Sequence, residues 1–240
     1  MSVQNAKRSF IEAYFEDVEA RIGRVAQIAA QGFSEEALIL ACCHLSGMAQ
    51  LRYAGGRDDM RLFTRLVRDS GGHGEVYDRV SRREITCWTD KDPFAPKALQ
   101  EHEAVGAEVA KRFGDEPSVA GDPKEGELLA ALKGVPRIDL QNLEANVWRF
   151  TYGAILYRRW RSPGVHQGEI DAPWEVESRR KVFRLGDNGE RAYYNSFHRL
   201  TFSERLVMDT LQRVFEALRA ECLEKNVFPP ELPQMSATGA

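Results

Sequence analysis

One short run of this sequence combines the side-chain types that bind and transform phosphate esters. The segment from Tyr157 to His166 contains three arginines, two large aromatic rings and one histidine. An arginine guanidinium stays charged and binds phosphate oxygens in pairs. A histidine titrates near neutrality, so it can accept or donate a proton during a reaction. Arg161 and His166, five positions apart, are therefore the candidate reactive pair.

The spacing of this pair resembles the motif of HEPN-family ribonucleases, in which an arginine is followed by four residues and a histidine. The resemblance extends to other parts of the chain. An apolar helix from Ala37 to Leu51 is followed by Arg52-Tyr53, a Gly-Gly turn and an aromatic-bearing helix. Later, a Tyr-x-x-x-Arg run leads to the histidine. The similarity covers residues of about 10–70 and 140–225.

The resemblance implies a metal-independent endoribonuclease with a toxin or phage-defence role and no cofactor. Arg161 would hold the scissile phosphate, and His166 would transfer protons to and from the ribose oxygens. Arg158 and Arg159 would attract the RNA, while Trp160 or Tyr157 would stack on an unpaired base. Because HEPN proteins generally form dimers that bring two motifs together, the resemblance also implies a homodimer with a composite site.

Other interpretations of the same residues remain open. In two respects the sequence departs from the active family members. Ser162 stands where those members usually carry Asn, Asp or His, and Pro163-Gly164 predicts a turn where they have a helix. A non-catalytic protein would use the arginines to bind RNA or nucleotide, or would serve as a protein-interaction or regulatory module. In the simplest case the arginines only complement the dipole at a helix C-terminus.

Other polar residues carry weaker signals for chemistry. The phosphate loop, the nucleophile elbow and the zinc-protease motif are all missing. Acid pairs such as Asp58-Asp59 sit at predicted helix starts, where the helix dipole accounts for them. A metal enzyme built from dispersed acids and histidines is a further alternative, but no Glu-x-x-His pair has the spacing used in helical bundles.

Apolar residues at three- and four-residue spacing predict a mainly α fold, a helical bundle with a small β-hairpin near residues 174–202. In the hairpin, strands 174–183 and 192–202 flank a turn at 186–189. Helices are predicted over residues 6–31, 35–53, 57–69, 75–85, 97–113, 125–133, 140–160 and 204–225. The helix over 35–53 is apolar nearly all round, which is typical of the central helix of a core.

These elements predict one helical domain over residues 1–228 and a disordered tail over 229–240. Five prolines and several glycines between about 87 and 136 indicate a loosely packed insertion. The chain of 240 residues is long enough to bury a sizeable core without a disulfide or a metal.

Composition narrows the partners and the location of the protein. The formal net charge of −3 gives no global attraction for nucleic acid, so any RNA site must be a local patch. The most apolar run, Ala37 to Cys43, is too short to span a bilayer. No signal peptide opens the sequence, and its cysteines (Cys42, Cys43, Cys87 and Cys222) show no metal-binding spacing. We therefore expect a cytoplasmic protein with structural thiols and no membrane partner.

Overall fold

A computed structural model of the chain describes residues 3–54, 56–86, 102–161, 192–194 and 200–232. The predicted fold class, mainly α with a small β-hairpin, is confirmed. None of the described helices is both long enough and apolar enough to cross a membrane. In chain order the helices and strands are α1 (Val3–Ala30), α2 (Ser34–Arg52), α3 (Asp59–Ser70), α4 (Gly74–Tyr77), α5 (Arg82–Thr86), α6 (His102–Phe113), α7 (Glu125–Leu132), α8 (Leu140–Asn146), α9 (Tyr152–Leu156), β1 (Ala192–Tyr194), β2 (Leu200–Phe202) and α10 (Glu204–Lys225).

The described residues divide into two compact units. The first contains residues 3–74, 157–161 and 204–232, with residue 55 outside the description. The second contains residues 75–86, 102–156, 192–194 and 200–203. The second unit therefore interrupts the first in sequence. The single domain over 1–228 with an insertion at 87–136 stays a prediction.

Helix α2 is the centre of the first unit, as its apolar surface predicts. It packs against α1, α3 and α10, and its buried residues include Leu38, Cys42 and Leu45. On α1, Phe15 meets Phe215 of α10 edge to face, with ring centroids 5.9 Å apart. Such aromatic pairs contribute to stability beyond their buried area. The first unit is thus a bundle in which α1, α3 and α10 pack around α2.

A separate apolar core holds the second unit together. It is formed by nine buried residues from the segments around α5 to α9: Val80, Ile85, Val105, Val109, Leu128, Leu132, Leu143, Val147 and Phe150. Four of these residues, Val105, Val109, Leu128 and Leu132, come from the described part of the region 87–136. That part of the chain therefore contributes directly to a core.

The single helix predicted over 140–160 is wrong, because the chain breaks it at Thr151. Helix α8 ends at Asn146, and Val147–Phe150 form a 3-10 turn before Thr151, which is extended at φ −68° and ψ 155°. The Thr151 hydroxyl donates to the carbonyl of Trp148, and the neighbouring backbone pairs with residues 79–81. These hydrogen bonds replace those that a continuous helix would make.

The hairpin forms inside the segment that was predicted as one strand, 192–202. Strands β1 and β2 pair antiparallel with each other, and Tyr193 lies opposite Thr201. Residues 195–199, between the two strands, lie outside the described residues. The predicted strand 174–183 and turn 186–189 lie outside the described residues.

The disordered tail predicted over 229–240 is wrong for its first four residues. Pro229–Glu231 form a 3-10 turn, and Leu232 is buried. Glu231 also pairs with Lys7 of α1 at 2.7 Å. Residues 229–232 are therefore packed on the first unit, while 233–240 lie outside the described residues.

Candidate functional site

The described part of the candidate motif lies in the first unit. Tyr157–Arg161 form a single π-helical turn, a wide helical geometry that is frequent at functional sites. This turn contacts both α2 and α3. His166 lies outside the described residues, as do Ser162, Pro163 and Gly164. The geometry described below is therefore that of Arg161 and its surroundings.

A carboxylate at the start of α3 organises the side chains around this turn. Asp59 accepts hydrogen bonds from the Ser46 hydroxyl at 2.8 and 2.9 Å and from the Gln50 amide at 2.9 Å. The Tyr157 hydroxyl donates to the same carboxylate at 2.5 Å. Arg161 completes the set, because its Nη2 lies 3.5 Å from Asp59 Oδ2. We call these five residues the Asp59 cluster.

Local folding brings the cluster together from three elements. Ser46 and Gln50 are four residues apart on α2, so they lie on one face of that helix. Asp59 is the first residue of α3, which begins there because Asp58 caps it by accepting from the Arg61 amide at 3.1 Å. Tyr157 lies beneath the cluster with its ring against Phe63, at a centroid separation of 5.3 Å.

The cluster keeps Asp59 charged and Tyr157 protonated. Burial alone would raise the pKa of Asp59, but hydrogen bonds from Tyr157, Gln50 and Ser46, together with Arg161, hold it below the ordinary value. The pKa of Tyr157 is raised by burial and by its hydrogen bond to Asp59. The Tyr157 phenol therefore stays protonated and donates its hydrogen bond to an Asp59 carboxylate that stays ionised.

This lowered pKa makes part of the stability of the first unit depend on pH. Because Asp59 is more acidic in the folded protein than in the unfolded chain, its contribution is fully present above the unfolded value near 4 and is lost as pH falls through the folded value. We expect the free energy of unfolding of the wild type to decline more steeply below about pH 4 than that of Asp59→Asn. Urea denaturation at a series of acidic pH values measures this, and equal slopes for the two proteins would contradict the assignment.

Arg161 is anchored rather than freely solvated. Its side chain is only 20% exposed, and its guanidinium carbon lies 5.9 Å from the centroid of the Tyr157 ring. A cation that merely complements a helix dipole needs neither a carboxylate partner nor an aromatic face. Asp59 and Tyr157 thus hold the guanidinium in a defined place.

The other predicted substrate-binding residues are placed differently. Arg158 and Arg159 are half-buried, whereas the rings of Trp160 and Tyr157 are buried. A buried ring has no open face for a base, so stacking on Trp160 or Tyr157 would require these residues to move. The structure therefore brings Tyr157 and Arg161 together, but through a carboxylate that the sequence analysis assigned to the helix dipole.

Sequence reasoning missed Ser46, Gln50 and Asp59. The available signal was the acid pair Asp58-Asp59, since one carboxylate is enough to cap a helix. The second acid then has another role, which here is to bind Tyr157 and Arg161.

A second polar cluster lies within the second unit and is enclosed by protein. Asp122 is 1% exposed. Its carboxylate accepts from Arg82 Nε at 3.0 Å and from the hydroxyls of Tyr152 and Tyr194 at 2.7 and 2.6 Å. Arg82 also donates to the carbonyls of Phe113, Gly114 and Glu116. Because Asp122, Arg82 and Tyr152 are buried and Tyr194 is half-buried, this Asp122 cluster acts as a structural anchor.

The thiols and potential metal ligands add no further site in the described ranges. Cys42, Cys43 and Cys222 are free, and Cys87 lies outside those ranges. Burial raises the pKa of Cys222 to about 11, which keeps it as a neutral thiol. The described His, Cys, Asp and Glu side chains nowhere gather in a group of three or more that could hold a metal ion.

Comparison with protein-family models, curated proteins and solved structures gives no match for this chain. The functional assignment therefore depends on the sequence motif and on the geometry of the Asp59 cluster. Of these, the geometry is the more specific, because it depends on five side chains from three elements.

Proposed function

We propose that this chain is a HEPN-like, metal-independent ribonuclease in which Arg161 binds the scissile phosphate and His166 transfers protons. The observation that carries the proposal is the fixed position of Arg161, which is paired with Asp59 and lies near the Tyr157 ring. A preorganised guanidinium stabilises the negative charge that develops on a phosphate during transfer. It needs no rearrangement at the moment of reaction.

The proposed chemistry is attack of the ribose 2′-hydroxyl on the adjacent phosphorus. His166 in its neutral form removes the 2′-hydroxyl proton, the O2′–P bond forms, and the P–O5′ bond breaks. The departing O5′ takes a proton from a protonated histidine, for which the matching motif of a second copy is the natural source. The products are a 2′,3′-cyclic phosphate and a 5′-hydroxyl, and no oxidant or metal takes part.

Charge placement supports a local RNA site on a chain that is acidic as a whole. Arg158 and Arg159 precede Arg161 on the same turn, so two further cations lie next to the arginine of the cluster. Such a patch attracts the phosphate backbone with an affinity that falls as salt concentration rises. A toxin or defence role is consistent with an activity that destroys RNA.

Loss of the guanidinium or the imidazole is expected to abolish cleavage while the fold persists. In EDTA, labelled single-stranded RNA should be cut by the wild type, and both Arg161→Lys and His166→Ala should be slower by about 100-fold or more. Lysine keeps the charge beside Asp59 but not the planar fork of donors. The control is Arg219→Lys, because Arg219 pairs with Glu19 at 3.2 Å elsewhere in the first unit.

Three results would argue against the proposal. If the wild type binds RNA with a steep salt response but yields no cyclic phosphate, the catalytic part is wrong and the protein is an RNA-binding module. If it neither binds nor cuts RNA at low salt, the whole proposal is wrong. Equal losses in Arg219→Lys and Arg161→Lys would show that the position of Arg161 has no special role.

A further inference from the structure

We infer that Asp59 is the positioning residue of this site, which sets the direction of the Arg161 guanidinium without contacting the RNA itself. The inference rests on the proposed function, and it adds a residue that neither the motif nor its spacing contains. It also assigns a role to Ser46, Gln50 and the Tyr157 hydroxyl, which hold the carboxylate in place.

The first step is that Asp59 is fixed independently of Arg161. Three neutral donors on two elements hold its carboxylate, with Ser46 and Gln50 on α2 and Tyr157 on the π-helical turn. A carboxylate held only by an arginine would move with that arginine. A carboxylate that accepts hydrogen bonds from a hydroxyl, an amide and a phenol stays in place and can therefore fix the position of the arginine.

The second step concerns the geometry of the contact between Asp59 and Arg161. The ion pair joins one terminal nitrogen, Nη2, to one carboxylate oxygen at 3.5 Å. It differs from the short, two-point geometry in which an arginine and a carboxylate satisfy each other. The guanidinium is a rigid plane, so a contact to the fixed Asp59 on one side and the Tyr157 ring on another restrict where that plane can lie.

The third step concerns charge. A carboxylate next to Arg161 weakens the attraction of that cation for phosphate, since like charges repel. Asp59 therefore lowers the affinity for RNA, and its presence is explained if it places the Arg161 guanidinium where negative charge develops in the transition state. Affinity and rate should therefore respond differently to its removal, because only interactions specific to the transition state raise kcat.

Asp59→Asn tests this separation, because the amide keeps the shape of the side chain and removes its charge. We expect the KM for RNA to stay the same or to fall and kcat to fall by about 10- to 100-fold. Tyr157→Phe, which keeps the buried ring and removes one hydrogen bond to Asp59, should lower kcat to a smaller extent. Glu19→Gln is the matched control, since it removes the same charge from the Arg219 pair.

A second readout requires no RNA. The Arg161 Nε atom is buried, so its N–H resonance, assigned by its loss in Arg161→Lys, should be well dispersed and slow to exchange in the wild type. In Asp59→Asn we expect this resonance to move toward the position of a solvated arginine, while Glu19→Gln leaves it unchanged. This measurement decides on Asp59 even if the wild type proves inactive on RNA, in which case only the proposed function is wrong.

Two outcomes would overturn the inference. In the first, the Arg161 resonance is the same in the wild type and in Asp59→Asn. In the second, KM rises and kcat falls together in proportion to a lowered melting temperature, which is the signature of a purely structural residue. If Asp59→Asn does not fold, the same two measurements on Tyr157→Phe decide the question.

Discussion

Asp122→Ala is expected to destabilise the second unit by about 3–5 kcal/mol, a large fraction of the stability of a typical domain. The substitution leaves the buried guanidinium of Arg82 without its carboxylate. Removing one partner of a buried ion pair costs far more stability than replacing both partners with apolar residues, because it leaves a buried charge unpaired. The hydroxyls of Tyr152 and Tyr194 also lose their acceptor. Burial raises the pKa of both phenols, and this cause persists in the variant, so neither phenol ionises to replace the lost negative charge.

Hydrogen exchange resolved along the chain measures this effect for the second unit alone. The control is Asp139→Ala, which removes the cap of α8, where Asp139 accepts from the Asn142 amide at 3.1 Å. Loss of an N-cap costs about 1 kcal/mol. A loss for Asp122→Ala no greater than for this control would show that the Asp122 cluster does not anchor the unit.

Phe63→Ala is expected to cost the first unit about 3–5 kcal/mol and to disturb the Asp59 cluster as well. Phe63 is 0% exposed and supports the ring of Tyr157 from α3. Truncation leaves a cavity beneath that ring, so the Tyr157 hydroxyl should hold Asp59 less firmly. The loss therefore combines stability with the geometry of the site.

Chemical denaturation of Phe63→Ala, Phe63→Leu and Phe10→Ala separates the effect of losing buried packing from the effect of losing a phenylalanine as such. Phe63→Leu should cost less, because leucine fills more of the space. Phe10, on α1, is 69% exposed, and its replacement should change stability by no more than about 0.5 kcal/mol. Similar losses for Phe63→Ala and Phe10→Ala would contradict the packing described for α3.

The periodicity of apolar residues predicted the long helices well because each buries one broad face. On α10 the predicted stripe of Leu206, Val207, Leu211, Val214, Phe215 and Leu218 is the buried face. The same reasoning was wrong for 140–160, where most residues from Val147 to Leu156 are apolar and so favour a buried helix. There the deciding factor was backbone pairing of 150–152 with 79–81, a contact between segments about 70 residues apart.

The candidate site was predictable only in part, for a similar reason. A local motif identifies Arg161, since its neighbours in sequence are informative. Asp59 lies about 100 residues earlier, and its link to Tyr157 depends on how α3 packs against the π-helical turn. Side chains recruited across a fold leave no spacing pattern, so a single sequence shows each of them as an ordinary surface polar residue.

The discontinuity of the first unit has a consequence for synthesis on the ribosome. Helix α2 needs α10 to cover one of its sides, and the second unit is translated between them. The apolar faces of α1, α2 and α3 therefore leave the exit tunnel well before α10 has been synthesised. The core residues of the second unit lie between 80 and 150, so that core is complete before α10 emerges. Nascent chains of this protein should depend on chaperones that shield hydrophobic surface until α10 emerges.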